Sequence, residues 1–219
     1  MFPLRDSQPS EGVPVVTLLM VVANLLVFLY QISLSDFELN HFVAHYAVIP
    51  AQLNLSTLLT SQFLHGGWMH LLGNMWFLWI FGDNIEDILG HANYLFFYLL
   101  CGLVGSLAHV VFNGSSTVPA LGASGAISGI MGAYLVKFPA SQVTTLIFFF
   151  LTVEIPALFM IGYWFLTQIF SGVGSLATTS AQSGGTAWFA HIGGFLCGLF
   201  LIKLFPTRSR WSVRREYGW

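Results

Sequence analysis

Long apolar stretches separated by short polar breaks dominate the chain, and their lengths exceed those of ordinary core helices. Residues 12–35, 88–136 and 155–202 contain no Asp, Glu, Lys or Arg. The second and third stretches each have room for about two membrane spans at roughly 20 residues apiece. Such unbroken apolarity suits helices, whose backbone hydrogen bonds are internal, and not barrel strands. Turn residues and isolated charges divide the stretches into six helices: 14–33, 68–82 or slightly beyond, 93–112, 123–137, about 153–170 and 187–205. The expected fold is an all-α, polytopic membrane protein of six transmembrane helices with a short central fourth span, opening at Ala123 and stopping at Lys137. Residues 1–13 then form a cytoplasmic amino-terminal segment, 14–205 the membrane domain and 206–219 a basic tail. No internal repeat or further domain boundary is visible.

Three segments fall outside that pattern. Residues 34–67 form a long connection whose apolar clusters, FVAHYAVI and LSTLLTSQF, suit short amphipathic pieces in the membrane interface. Residues 171–186 are small and polar. Val143 to Phe150, VTTLIFFF, is apolar and rich in β-branched residues, and periodicity leaves open whether it begins span five or precedes it as a re-entrant stretch.

Composition strengthens the membrane reading, since hydrophobic residues make up 56% of the chain and charged residues 7%. That charged share is about a quarter of the usual one for a soluble domain. The seven basic residues fix the orientation, because Lys and Arg in short loops stay cytoplasmic. Arg5 precedes span one, Lys137 follows span four, Lys203 ends span six, and Arg208, Arg210, Arg214 and Arg215 fill the tail. Both termini are therefore expected in the cytoplasm. The first apolar stretch is too long for a signal-peptide core, and MFPLRDSQPSEG lacks the Arg-rich, acid-free character of a transit peptide. A bacterial or archaeal plasma membrane is the expected location. Cys101 and Cys197 fall inside spans and suggest packing, not a disulfide framework.

Polar side chains within spans are costly, so their depth carries information. Counting at about 1.5 Å per residue from Lys137 and Lys203 places Ser124 about 20 Å and His191 about 18 Å above the inner face. From Asp83, His70 lies about 20 Å and Asn74 about 14 Å up span two. Three helices thus bring polar groups into one layer. Small residues argue for lateral closeness: Ser124, Ser128 and Gly132 share a face of span four, and His191, Gly194 and Gly198 share a face of span six.

A hydroxyl beside an imidazole is suited to acyl transfer, with His191 taking the Ser124 proton and returning it to the leaving amine. The one acid in the second half of the spans, Glu154, sits near the inner end of span five as a boundary residue, so a Ser-His dyad is expected. An imidazole in apolar surroundings stays neutral, as a general base requires. The Ser124 amide at a helix start, with His70 and Asn74 one turn apart on span two, can donate to an oxyanion.

Gly122-Ala123-Ser124-Gly125, Ala190-His191-Ile192-Gly193-Gly194 with Gly198, and His70-Leu71-Leu72-Gly73-Asn74 resemble the motifs of the rhomboid family of intramembrane serine proteases, in order, over residues 61–205. The resemblance implies a six-helix core, Ser124 as nucleophile, His191 as base, and His70, Asn74 and the Ser124 amide around the oxyanion. It implies no metal or cofactor, and transmembrane protein substrates cleaved near the outer membrane boundary. On the same analogy residues 172–186 form a cap, and Trp164 or Phe165 lines a lateral gate. Two departures stand out. The outer loop lacks the Trp-Arg pair of many members, and Ser128 occupies a position where some members set an aromatic ring against the histidine.

Other residue types carry less. His41 and His45 have the i, i+4 spacing of metal ligands but no glutamate between them and no third ligand, and the absence of His-Glu-x-x-His disfavours a zinc protease. His65 reads as ordering the outer loop, and His91 and His109 lie near span ends. A rhomboid-like binder without chemistry is disfavoured by the intact Ser124 and His191, and a transporter by the lack of duplicated halves. The expected partners are substrate proteins and the lipid bilayer, with no nucleic acid.

Overall fold

A computed structural model describes residues 2–148, 150–176 and 187–207. The remainder of the expected cap and basic tail lies outside the described residues. The described chain is mostly helical: α1 Val15–Ser33, α2 Asp36–Tyr46, α3 Thr57–Thr60, α4 Trp68–Leu89, α5 His91–Phe112, α6 Ser124–Lys137, α7 Ala157–Leu176 and α8 Trp188–Leu201. Short 3-10 turns at Pro50–Gln52 and Ser61–Phe63 break the connection between α2 and α4. Helices α1, α5 and α7 are long and apolar enough to cross a membrane. Helix α4 is of similar length but carries Asp83, Glu86 and Asp87 near its end, while α6 and α8 have 14 residues each.

Helix α4 continues past Gly82, where the sequence pattern ends, because its acidic residues find partners. Glu86 is 1% exposed and accepts from the backbone N–H groups of Val16 and Thr17 at 2.7 and 2.8 Å, so it caps the start of α1. The α1 amino terminus supplies unpaired donors and the positive end of a helix dipole, which together suit a carboxylate. His91 Nδ1 lies 2.6 Å from the same carboxylate. Asp87 accepts from the N–H groups of Glu11 and Gly12. In α2, Ser35 and Glu38 form a reciprocal capping box of the S-x-x-E type.

The all-helical expectation requires a correction. Strands β1 (Phe2–Asp6), β2 (Gln142–Ile147) and β3 (Leu151–Pro156) form an antiparallel sheet in the order β1-β2-β3. The VTTLI run is therefore a sheet strand, neither a re-entrant stretch nor the start of the next helix, since α7 begins at Ala157. Glu154 lies on β3, exposed and paired with Thr144, and not at the end of a helix. The physical reason is non-local: residues 2–6, expected only as part of a cytoplasmic amino-terminal segment, add a strand to the β2–β3 hairpin. That strand runs along α4, with Trp76 Nε1 donating to the Pro3 carbonyl at 2.6 Å and Asn84 Nδ2 to Asp6 at 3.0 Å. On the other side β2 and β3 meet α7, so the sheet stands between α4 and α7.

Asp6 also accepts the hydroxyl hydrogen of Tyr134 on α6. Burial pushes its carboxyl up to about 6, against the opposing effect of the Tyr134 bond. An acid raised in the folded state binds more protons folded than unfolded, so its contribution to stability is largest below about pH 4 and is lost as pH rises to about 6. Asp6→Asn keeps an acceptor for Tyr134 and removes the titration. The thermal midpoint of this variant relative to the unsubstituted chain is expected to climb between pH 4 and about 6; a difference constant across that window contradicts the assignment.

The core centres on α6, which contacts α4, α5, α7 and α8. Ten of its fourteen residues, Gly125 to Tyr134, are buried. The hydrophobic effect gives no attraction between helices already surrounded by lipid, so close van der Waals packing of their backbones has to do that work.

Candidate active site

The turn entering α6 sets the site. Gly122 has φ +126°, a conformation that L side chains rarely adopt, and a Cβ there would fall 2.7 Å from His70 Nε2 and 3.7 Å from Asn74 Nδ2. Glycine is thus required both for the turn and for the approach of α4. Ser124 follows as the first residue of α6. Its amide has no carbonyl one turn earlier to bond within the helix.

Ser124 Oγ and His191 Nε2 are 2.7 Å apart, bridging α6 and α8. Glycines make that distance attainable. A Cβ on Gly194 would overlap the carbonyl oxygen of Gly125, and one on Gly198 that of Gly129. Gly132 packs in the same way against the backbone of Phe195. The contact ridge on α6 is therefore Gly125, Gly129 and Gly132, a face rotated by one residue from the expected Ser124, Ser128 and Gly132.

Ser128 turns back onto its own helix, donating to the Ser124 carbonyl at 2.6 Å. No ring reaches His191 from that position, but two aromatic side chains do so from elsewhere. Trp164 on α7 lies 6.0 Å from the imidazole, centroid to centroid, and Trp188 on α8 lies 6.2 Å away, nearly edge-on at 88°. The other ring nitrogen, Nδ1, is 2.8 Å from Oε1 of Gln168 on α7. Sequence reasoning passed over Gln168. The signal was present, since an amide inside the apolar run WFLTQIF is the kind of buried polar residue that drew attention to the other helices.

His70 and Asn74 lie one turn apart on α4 and face the same cavity as Ser124 and His191. His70 Nδ1 accepts from the Gly66 N–H at 3.3 Å, which in a neutral ring leaves the hydrogen on Nε2, the nitrogen nearest Gly122. Asn74 is buried, and among the described residues its Nδ2 has no hydrogen-bond partner. An unpaired donor in such a place costs free energy until an acceptor arrives. The cavity measures about 410 Å³ and is lined by residues of α4 and α6, by Trp164 of α7 and by His191 of α8. Phe165, the other expected gate residue, stacks instead on Phe195 of α8 at 4.0 Å between centroids. His41 and His45 are exposed on α2, away from this cavity.

The arrangement places a hydroxyl, a base and convergent N–H donors in one partly enclosed space, the set needed for nucleophilic attack on a carbonyl. Comparison with known proteins identifies the family. The Rhomboid domain matches residues 52–208. Rhomboid protease GluP of Bacillus subtilis (strain 168) is 37% identical over 130 residues, covering 58% of this chain and 25% of that protein. RHOMBOID-like protein 6, mitochondrial, of Arabidopsis thaliana is 31% identical over 166 residues, 74% of this chain and 48% of that protein. Presenilin-associated rhomboid-like protein, mitochondrial, of Homo sapiens is 32% identical over 137 residues, 61% and 35% respectively. The chain thus spans between a quarter and a half of the length of these relatives. Several relatives are mitochondrial, so they lend no support to the expected bacterial or archaeal plasma membrane; the long apolar helices support a membrane protein. With a matching domain over most of its length and apolar helices of membrane-spanning size, the chain belongs to the rhomboid family.

Proposed function

We propose that the protein is an intramembrane serine protease that cleaves transmembrane protein substrates by a Ser124–His191 dyad, on a six-span scaffold with a short fourth span at α6. The observation that carries this reading is the 2.7 Å contact between Ser124 Oγ and His191 Nε2 in a cavity that is also lined by Asn74, whose Nδ2 is unpaired among the described residues. His191 Nε2 takes the hydroxyl proton as Ser124 Oγ bonds to the substrate carbonyl carbon. The oxygen of that carbonyl becomes an oxyanion, met by the Ser124 N–H, His70 Nε2–H and Asn74 Nδ2–H. As the C–N bond breaks, the imidazolium returns the proton to the leaving amine. Water then attacks the acyl-serine with His191 again as base, restoring the hydroxyl and releasing the acid. No metal or cofactor enters this sequence.

The cavity, lined by residues of α4 and α6 and by Trp164 of α7, has room for an extended segment of a substrate chain. Six spans with Arg5, Lys137 and Lys203 on one side put both termini on the cytoplasmic side and the cavity toward the opposite leaflet.

Fluorophosphonate labelling followed by peptide mapping tests the nucleophile. The adduct is expected on Ser124 alone, and His191→Ala is expected to slow labelling by at least about a hundredfold, the usual range for loss of a general base. Labelling of another residue, or an undiminished rate in His191→Ala, would reject the dyad.

A further inference from the structure

We propose that Gln168 is a positioning residue that selects the tautomer of His191 able to accept the Ser124 proton, an inference that rests on the dyad reading above. Gln168 sits on α7 and is 5% exposed. Its Oε1 is 2.8 Å from His191 Nδ1. An amide can present either end to a ring nitrogen, so the orientation has to come from its other bonds.

Thr167 supplies it. The Thr167 hydroxyl donates to the Trp164 carbonyl at 2.6 Å, which commits its only hydrogen and leaves its oxygen as an acceptor. Gln168 Nε2 donates to that oxygen at 3.1 Å and to the Trp164 carbonyl at 3.2 Å. Both amide hydrogens are then placed. Flipping the amide would set its oxygen against two acceptors and lose both bonds. The end facing His191 is therefore the carbonyl oxygen, which accepts and cannot donate.

A neutral imidazole carries one N–H. Bonded to an acceptor at Nδ1, it holds its hydrogen there, and its lone pair is on Nε2, facing Ser124 Oγ at 2.7 Å. The opposite tautomer would point N–H at the hydroxyl and remove the base. Burying a carboxylate in this layer would demand compensation for an anion, whereas the amide fixes the tautomer without bringing a charge. Nucleophile, base and anchor thus come from three helices, α6, α8 and α7. Because α7 also provides Trp164 to the cavity lining, the helix that holds the imidazole also shapes the space in front of it.

The test uses the full chain in detergent micelles, with fluorophosphonate labelling rates measured against pH and the ring ¹⁵N shifts of His191 read by NMR. The unsubstituted protein is expected to show the Nδ1–H tautomer and an adduct on Ser124. Gln168→Leu removes the acceptor, so labelling is expected to fall at least about tenfold, with the Nε2–H tautomer appearing. Gln168→Glu restores an acceptor, so labelling is expected to return to within a few-fold at alkaline pH. Its carboxylate favours the charged ring, so the acid limb of the profile moves up by about one pH unit or more. A Gln168→Leu protein with unchanged rate and a single Nδ1–H tautomer would overturn the proposal. So would equal loss in the Leu and Glu variants with an unmoved acid limb, the pattern of a residue that only packs. If the unsubstituted protein forms no adduct on Ser124, the nucleophile assignment itself falls and takes this proposal with it; normal labelling with an indifferent Gln168 sinks the proposal alone.

Discussion

Ser124→Ala is expected to reduce cleavage of a single-span membrane substrate below detection while leaving the fold in place. Loss of the nucleophile of a serine hydrolase lowers kcat on the order of a millionfold. The structural consequence is small by comparison. The substitution removes one hydrogen bond, to His191, and the vacated nitrogen still faces the cavity, where water can reach it. A lost bond of that kind is worth about 1 kcal/mol, or a few degrees in Tm for a chain of this size. The measurement pairs gel-based cleavage of reconstituted substrate with helicity and Tm of the same preparation. Residual cleavage above a few per cent in the alanine variant would remove Ser124 from the chemistry. A collapsed Tm would show that the hydroxyl holds the fold, not the reaction.

Much of this site was legible because lipid makes polarity expensive. Ser124, His191, His70 and Asn74 stood out against apolar helices, and counting residues from Lys137, Lys203 and Asp83 put them in one layer. The structure brings all four to one cavity. The ends of the first and fourth apolar segments were legible for the same reason, since 14–33 became Val15–Ser33 and 123–137 became Ser124–Lys137, whereas the fifth, expected over about 153–170, is Ala157–Leu176. Charge misled at the second segment, where Asp83 looked like a boundary. There Glu86 and Asp87 are held by the backbone of residues 11–17, a tertiary partnership that a count of charges along one helix does not reveal.

The sheet was illegible for a related reason. Val143 and Thr145 point inward and are fully buried, and the strand between them and α4 comes from Phe2–Asp6, a partner far away in sequence. Periodicity within VTTLIFFF could flag β-prone residues but could not find that partner. Gln168 escaped because no second polar residue of α7 had been matched to the layer of the other helices. Ser128 was placed on the wrong face because small residues at positions 124, 125, 128, 129 and 132 offer two adjacent stripes. Only the carbonyl contacts of Gly194 and Gly198 decide between them.

Those contacts make Gly194→Val the substitution with the next largest expected effect. A Cβ at Gly194 would overlap the carbonyl oxygen and carbon of Gly125, both backbone atoms of α6. A side chain could rotate away; the start of a buried helix cannot. Relief therefore has to come from separating α6 and α8, and Gly194 lies one turn from His191 while Gly125 adjoins Ser124. Overpacking of this kind costs about 1–3 kcal/mol in stability. The effect on chemistry is larger, because a displacement of about 1 Å can lower a rate on the order of a hundredfold, and the Ser124–His191 contact is only 2.7 Å. Gly194→Ala is expected to be intermediate. Gly162→Ala on α7, where a Cβ meets nothing within 4 Å, serves as the comparison and is expected to keep Tm and activity. Cleavage and fluorophosphonate labelling are expected to fall together in the Gly194 variants, since both need the serine and imidazole in contact. Full activity in Gly194→Val would mean that α6 and α8 approach less closely than their carbonyl contacts require, and the geometry of the dyad would have to be rebuilt.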